Sequence, residues 1–89
     1  MTRRMTKKEW EAFLDELKEA LRKMGVDFRE TSRIRSAGAL CVVRGRRVFI
    51  VNRFLDPEEK ADLVRKEMAG TDLDALFLKP GVREYLGGG

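Results

Sequence analysis

Two apolar runs around a short basic turn constrain the fold of this chain more than any other feature. Residues 39–43 read Ala-Leu-Cys-Val-Val, residues 48–52 read Val-Phe-Ile-Val-Asn, and Arg44-Gly45-Arg46-Arg47 separates them. β-Branched and aromatic residues favour strands, and glycine between two such runs favours a tight turn. The pattern therefore predicts an antiparallel hairpin whose register is open by one residue. Because both runs are apolar at successive positions, both faces of the hairpin need a cover.

A long amphipathic helix is predicted before the hairpin. Thr6 and Glu9 have the spacing of a capping box, and Gly25 is typical of the residue that follows a helix. Between them, apolar residues recur at steps of three and four and so predict one buried stripe. The stripe consists of Trp10, Phe13, Leu14, Leu17, Ala20, Leu21 and Met24.

A second helix is predicted after the hairpin. Asp56 has the position of an N-cap, Pro57 that of the first helical residue, and Gly70 follows the end of the helix near Ala69. Its buried stripe is predicted to contain Ala61, Val64 and Met68, with Leu63 beside them.

The remaining segments carry weaker patterns. Residues 26–30 are compatible with a short strand, residues 31–36 predict a loop, and residues 73–78 predict an extended segment at the sheet edge. Pro80 is expected to open a short helix that runs to Leu86. We therefore expect an α/β fold of the α+β type, in the order α-β-β-α-(short β)-α, with a small antiparallel sheet covered by helices.

The composition predicts one domain and excludes several chemistries. We expect a flexible N-terminus over residues 1–5, a single α/β domain over residues 6–86 and a glycine tail over residues 87–89. The chain contains 89 residues, no histidine and one cysteine, Cys41. The usual zinc ligand sets and the commonest general base near neutral pH are therefore missing. We expect no cofactor, no metal and no enzymatic activity.

The positive charge is concentrated in one part of the sequence. Residues 29–53 contain seven arginines and one acid, Glu30, which gives this stretch a net charge of +6, whereas the rest of the chain sums to −2. Arginine binds phosphates and carboxylates through a planar set of donors. One interpretation is a site for nucleic acid, another polyanion or an acidic protein partner. The candidate site residues are Arg33, Arg35, Arg44, Arg46, Arg47 and Arg53.

A second interpretation needs no ligand. The same arginines are compatible with a solvated turn whose charges pair with acids of the two predicted helices and protect the hairpin edge. For Cys41, in the middle of a predicted strand, we expect a buried and unreactive thiol.

The hairpin and second helix resemble part of a known family. Residues 38–70, from Gly38-Ala39-Leu40-Cys41 through the helix start at Asp56, resemble the hairpin and following helix of ImmA/IrrE-type metallopeptidases. In that family the helix carries an HExxH zinc motif. The corresponding residues here are Lys66-Glu67-Met68-Ala69-Gly70, in which only Glu67 matches, so the resemblance implies no peptidase activity. The chain as a whole resembles small uncharacterised bacterial proteins, and that resemblance implies no function.

Two functional hypotheses follow from the residues. The first is a non-enzymatic interaction or regulatory module that acts as a homodimer, because a short chain with a two-faced apolar hairpin has a face left to bury against a second copy. The alternative is binding of nucleic acid or another polyanion through the six arginines named above. No apolar run is long enough for a membrane span and the N-terminus is charged, so we expect a cytoplasmic protein without a membrane partner.

Overall fold

The described part of the chain combines three helices with one small sheet. The computed structural model of the chain describes residues 4–70 and 78–87. These residues form, in order, α1 (Lys7–Lys23), β1 (Val26–Thr31), β2 (Gly38–Val43), β3 (Arg46–Asn52), α2 (Pro57–Glu67) and α3 (Pro80–Gly87). The predicted α+β class is confirmed.

The sheet is mixed rather than antiparallel. β3 is the central strand of the order β1-β3-β2, and β2 pairs with it antiparallel, as the predicted hairpin requires. The short strand considered for residues 26–30 is present as β1, which the predicted element order left out. β1 pairs with β3 in parallel, so the predicted all-antiparallel sheet was wrong at this strand. The apolar pattern of β1 is weak because the strand contains the charged residues Asp27, Arg29 and Glu30. In addition, β1 pairs with a strand that is distant in the sequence. Residues 73–77 of the predicted extended segment lie outside the described residues.

Local signals in the sequence explain where the first two helices begin. The backbone N–H of Thr6 donates to Oε1 of Glu9 at 3.0 Å, and the N–H of Glu9 donates to Oγ1 of Thr6 at 3.2 Å, so the predicted capping box is confirmed. At α2, the N–H of Asp56 donates to Oε1 of Glu59 at 3.0 Å, immediately before Pro57.

The hairpin turn is shorter than the four-residue segment 44–47 that separates the two apolar runs in the sequence. Only Arg44 and Gly45 separate β2 from β3, and their φ angles are 54° and 78°. Positive φ at both central residues is characteristic of a type I′ turn, whose twist matches that of the strands. Both strands therefore continue up to the turn, and Arg46 and Arg47 belong to β3.

The helices cover one face of the sheet. α1 packs against β1 and α2 against β2, and Leu17, Phe49 and Val51 are completely buried between the layers. Residues alternate between the faces of a strand, so Val48 and Ile50 lie on the other face, and Val48 is not part of the core cluster. Within residues 4–70 and 78–87, α1 and α2 cover this face, and α3 packs against these two helices.

Candidate functional site

The six candidate arginines lie at two opposite ends of the sheet. Arg44, Arg46 and Arg47 lie at the hairpin turn, which we call the turn end. Arg33, Arg35 and Arg53 lie at the other end, where the parallel strands β1 and β3 finish; residues 31–37 and 52–54 form this carboxyl end. At roughly 3.3 Å per residue, β3 separates the two ends by about 20 Å. The arginines are thus neighbours in sequence but form two groups in space.

At the turn end, Arg46 is held by an acid of the neighbouring strand. Its Nε and Nη2 atoms each donate to the carboxylate of Asp27 at 2.9 Å. The Arg46 hydrogen bond is the main reason why the pKa of Asp27 is lowered, and the same contact raises the pKa of Arg46. Arg29 approaches the same carboxylate, with Nη2 3.8 Å from Oδ2. The charge of this arginine pair is therefore partly neutralised by the protein itself.

Arg47 is engaged by the end of a helix. Its Nη2 donates to the carbonyl oxygen of Met24, the C-cap residue of α1, at 3.3 Å. A cation at this position interacts favourably with the helix dipole and with an otherwise unpaired carbonyl. Arg44 is exposed on the turn and makes no ion pair with a described residue. Two of the three turn-end candidates therefore have structural partners.

At the carboxyl end, Asn52 fixes the loop that carries two of the arginines. Residues 32–37 cross the end of β3, and the Nδ2 atom of Asn52 donates to the carbonyls of Ile34 at 3.3 Å and Ser36 at 3.2 Å. The Asn52 backbone N–H donates to Ala37, and its Oδ1 accepts from the N–H of Phe54. One side chain thus connects the loop to the segment that follows β3, a role that sequence reasoning missed.

Two of the carboxyl-end arginines line one open cleft. Arg33 and Arg53 border a cleft of about 420 Å³ together with Glu30, Thr31 and Ser32. Thr31 orders the backbone on both sides, because its Oγ1 accepts from the N–H of Arg33 and its carbonyl accepts from the N–H of Arg53. The exposed guanidinium groups of Arg33, Arg35 and Arg53 pair with no acid of residues 4–70 and 78–87.

Glu30, the acidic residue of this cleft, forms ion pairs with one lysine of α1 and one lysine of α2. Nζ of Lys60 bonds to Oε1 of Glu30, and Nζ of Lys18 lies 3.4 Å from Oε2. Burial acts to raise the pKa of Glu30, but the hydrogen bond and charge of Lys60, with the charge of Lys18, outweigh it and lower this pKa. The carboxylate already has two cationic partners, so it does not cancel the arginines.

An exposed aromatic ring stands beside the cleft. Phe54 is 76% exposed, the largest value among the large apolar side chains of the described residues, and the Arg53 guanidinium lies 5.7 Å from its ring centroid. Water-exposed phenylalanine beside arginine is the composition of surfaces that stack bases. The sequence did contain a signal for such a surface, namely the Arg53-Phe54 pair between the strand and the N-cap of α2. Sequence reasoning used only the arginine of this pair.

A larger cleft lies elsewhere and is acidic. It has a volume of about 850 Å³ between the N-terminal parts of α1 and α2 and the helix α3. Several of its acids have local partners, since Glu59 accepts from the N–H of Asp56, and Asp62 pairs with Arg65 at 2.5 Å. The lining residues are Trp10, Asp56, Glu58, Glu59, Asp62, Arg65, Glu84 and Tyr85.

The other sequence candidates have ordinary surroundings. Cys41 is half-buried in β2, and its Sγ lies 3.8 Å from the carbonyl oxygen of Ala39. Glu67 is the last residue of α2 and is exposed. Within the described ranges, no group of three or more acids or cysteines is placed to hold a metal ion.

Comparisons with protein-family models, curated proteins and solved structures find no match to this chain. The resemblance of residues 38–70 to ImmA/IrrE-type metallopeptidases therefore stays a prediction. None of the helices in the described part of the chain combines the length and apolar character that a membrane crossing requires.

Proposed function

We propose that this protein binds single-stranded nucleic acid, without reading its sequence, through the carboxyl end of the sheet. The observation that carries the proposal is the grouping of Arg33, Arg35 and Arg53 without an acidic partner among the described residues, next to the exposed ring of Phe54. Of the six candidate arginines predicted from the sequence, the proposed binding site therefore contains the three at the carboxyl end.

The chemistry of these groups suits a phosphate backbone. Each guanidinium offers several donors in a plane, and a phosphate supplies acceptors with matching geometry. Arg33 and Arg53 border the same open cleft, while Arg35 lies two residues further along the loop that Asn52 holds. A flexible strand can follow the three charges along this loop, because its backbone is not confined to a duplex.

Phe54 favours a single strand over a duplex. A phenylalanine ring stacks on the face of a base, and in a duplex those faces are covered by neighbouring base pairs. Stacking of this kind contributes roughly 1–3 kcal/mol per base and accepts any base.

The proposal is tested by fluorescence anisotropy with a labelled oligonucleotide of about 12 thymidines. The double variant Arg33→Gln/Arg53→Gln removes two phosphate contacts, so we expect about 20-fold weaker binding at 0.1 M salt and a salt dependence shallower by about 1.4. Arg44→Asn removes one charge at the turn end and is a control for the location of the lost charge, for which we expect a change below about twofold. Phe54→Ala should weaken oligonucleotide binding at least about fivefold.

Heparin distinguishes stacking from charge alone, because it carries anionic groups but no bases. Phe54→Ala should leave heparin binding unchanged, whereas Arg33→Gln/Arg53→Gln should weaken it. Absence of oligonucleotide binding at about 100 μM protein in low salt contradicts the proposal. Equal losses in the double variant and in Arg44→Asn also contradict it, and an unchanged oligonucleotide affinity of Phe54→Ala contradicts the assignment to single strands.

A further inference from the structure

The two edges of the sheet are protected very differently. β1 carries Asp27, Arg29 and Glu30, and charged side chains discourage an edge strand from pairing with another chain. β2 reads Gly-Ala-Leu-Cys-Val-Val and contains no charge and no proline. It pairs with β3 on one side, and no other described strand pairs with its second side. Among the described residues, β2 is therefore an edge strand whose outward backbone donors and acceptors have no strand partner and whose side chains include no charge.

Exposed apolar side chains are concentrated on this edge. Val42 is 71% exposed and Val43 is 43% exposed, and they extend to opposite faces of the sheet. Only Met5 and Phe54 are comparably exposed among the large apolar side chains of residues 4–70 and 78–87. A partner strand along β2 would thus bury apolar side chains on both faces while it satisfies the backbone.

We propose that the occupant of this edge is the β2 strand of a second copy, paired antiparallel about a two-fold axis perpendicular to the sheet. Such an axis keeps the faces of the two sheets aligned and gives one continuous six-stranded sheet. With Cys41 opposite Cys41 of the partner subunit, Val42 pairs with the partner's Leu40, and Val43 pairs with the partner's Ala39. This register covers both exposed valines.

The charge pattern of α2 favours a second copy over an unrelated strand. α2 packs against β2, and Glu59, Asp62, Leu63 and Lys66 line a groove beside the start of that strand. Acids occupy the first turn of this helix and bases its last turn, and the bases of the last turn also pair with Asp62 within the helix. The two-fold axis makes the two α2 helices antiparallel, so the basic half of one is directed toward the acidic half of the other. The surface is self-complementary, as an isologous interface requires.

Sedimentation analysis without nucleic acid tests the proposal independently of the proposed function. Over about 5–200 μM protein we expect a concentration-dependent shift from one chain of 10.2 kDa to a mass of about 20 kDa. Val42→Lys places a charge in the strand contact and should weaken the dimer at least about tenfold. Met5→Lys, on an exposed apolar residue outside the sheet, is the matched control and should leave the dimer unchanged.

Cys41 offers a second measurement that needs no variant. In an antiparallel pair, directly opposite residues have Cα atoms about 4.5–5.5 Å apart, a separation that a disulfide spans. Mild oxidation should therefore give a covalent dimer through Cys41. A monomer at every concentration, as expected if another segment of this chain covers β2, overturns the proposal. A dimer insensitive to Val42→Lys, or one that gives no crosslink, overturns the proposed pairing.

Discussion

At the turn end, Arg46 donates twice to Asp27 and Arg47 donates to the C-cap carbonyl of α1, whereas at the carboxyl end Arg33 and Arg35 form no ion pair with a described residue. The two ends contribute equal numbers of candidate arginines, and β3 runs through both. They differ because two of the three turn-end guanidinium groups have partners within the fold, whereas the three at the carboxyl end have no acidic partner among the described residues. The comparison shows that a count of basic residues does not define a binding surface, because partners within the fold decide which charges are available to a ligand.

The largest effect on stability is expected at Asn52, because one side chain holds the loop of the carboxyl end. Asn52→Ala removes two donated hydrogen bonds and one accepted bond. We expect a loss of about 2 kcal/mol in the free energy of unfolding and roughly fivefold weaker oligonucleotide binding. Urea denaturation and anisotropy measure the two effects.

The matched variant at the turn end is Arg47→Ala, which loses one hydrogen bond of 3.3 Å. We expect it to cost less stability than Asn52→Ala and to leave oligonucleotide binding unchanged. If the two variants lose binding equally, the loop does not form the site.

A smaller effect is expected when the turn end is made to resemble the carboxyl end. Asp27→Asn removes the carboxylate that engages Arg46 and Arg29, so both guanidinium groups become available to phosphate. We expect oligonucleotide affinity to rise about two- to threefold in low salt. A fall in affinity would show that Asp27 supports the site rather than shields a competing surface.

The same variant gives a pH dependence with a defined sign. The pKa of Asp27 is lowered in the folded chain, chiefly by Arg46, so its ionised form stabilises the fold above the usual pKa near 3.8. This stabilisation is lost as the pH falls through the lower folded-state pKa. Asp27→Asn should therefore reduce the Tm by less than roughly 4 °C at pH 7, and the difference should disappear in acid.

The smallest effect is expected at Arg44. This residue has a φ angle of 54°, which asparagine adopts more readily than arginine. Arg44→Asn should therefore stabilise the protein by about 0.5 kcal/mol and change oligonucleotide affinity less than about twofold. A destabilised Arg44→Asn in thermal denaturation would mean that the guanidinium contributes a contact of its own.

The sequence predicted those parts of the fold whose signals are local. The first helix was predicted from Thr6, Glu9 and Gly25 because a capping box and a left-handed glycine act within a few residues. The hairpin was predicted from two apolar runs and Gly45 for the same reason. The parallel pairing of β1 was missed because it depends on the loop of residues 32–37, which lets β3 enter between β1 and β2.

The candidate site was predicted less completely than the fold. Sequence reasoning identified all six arginines but treated them as one group, because it did not include the length of β3. Asn52 was correctly assigned to a strand, but the sequence did not reveal that its side-chain amide holds the loop of Arg33 and Arg35. The role of Phe54 depends on its exposure, which a sequence does not show for a single apolar residue.

The most direct test of the difference between the two ends is an NMR titration of the isotope-labelled protein with oligothymidine, followed through the arginine side-chain signals. The account predicts shifts of Arg33, Arg35 and Arg53, together with the amides of residues 31–37 and 52–54, while Arg46 and Arg47 stay unchanged. Shifts centred on residues 44–47, or equal shifts at both ends of the sheet, would contradict it.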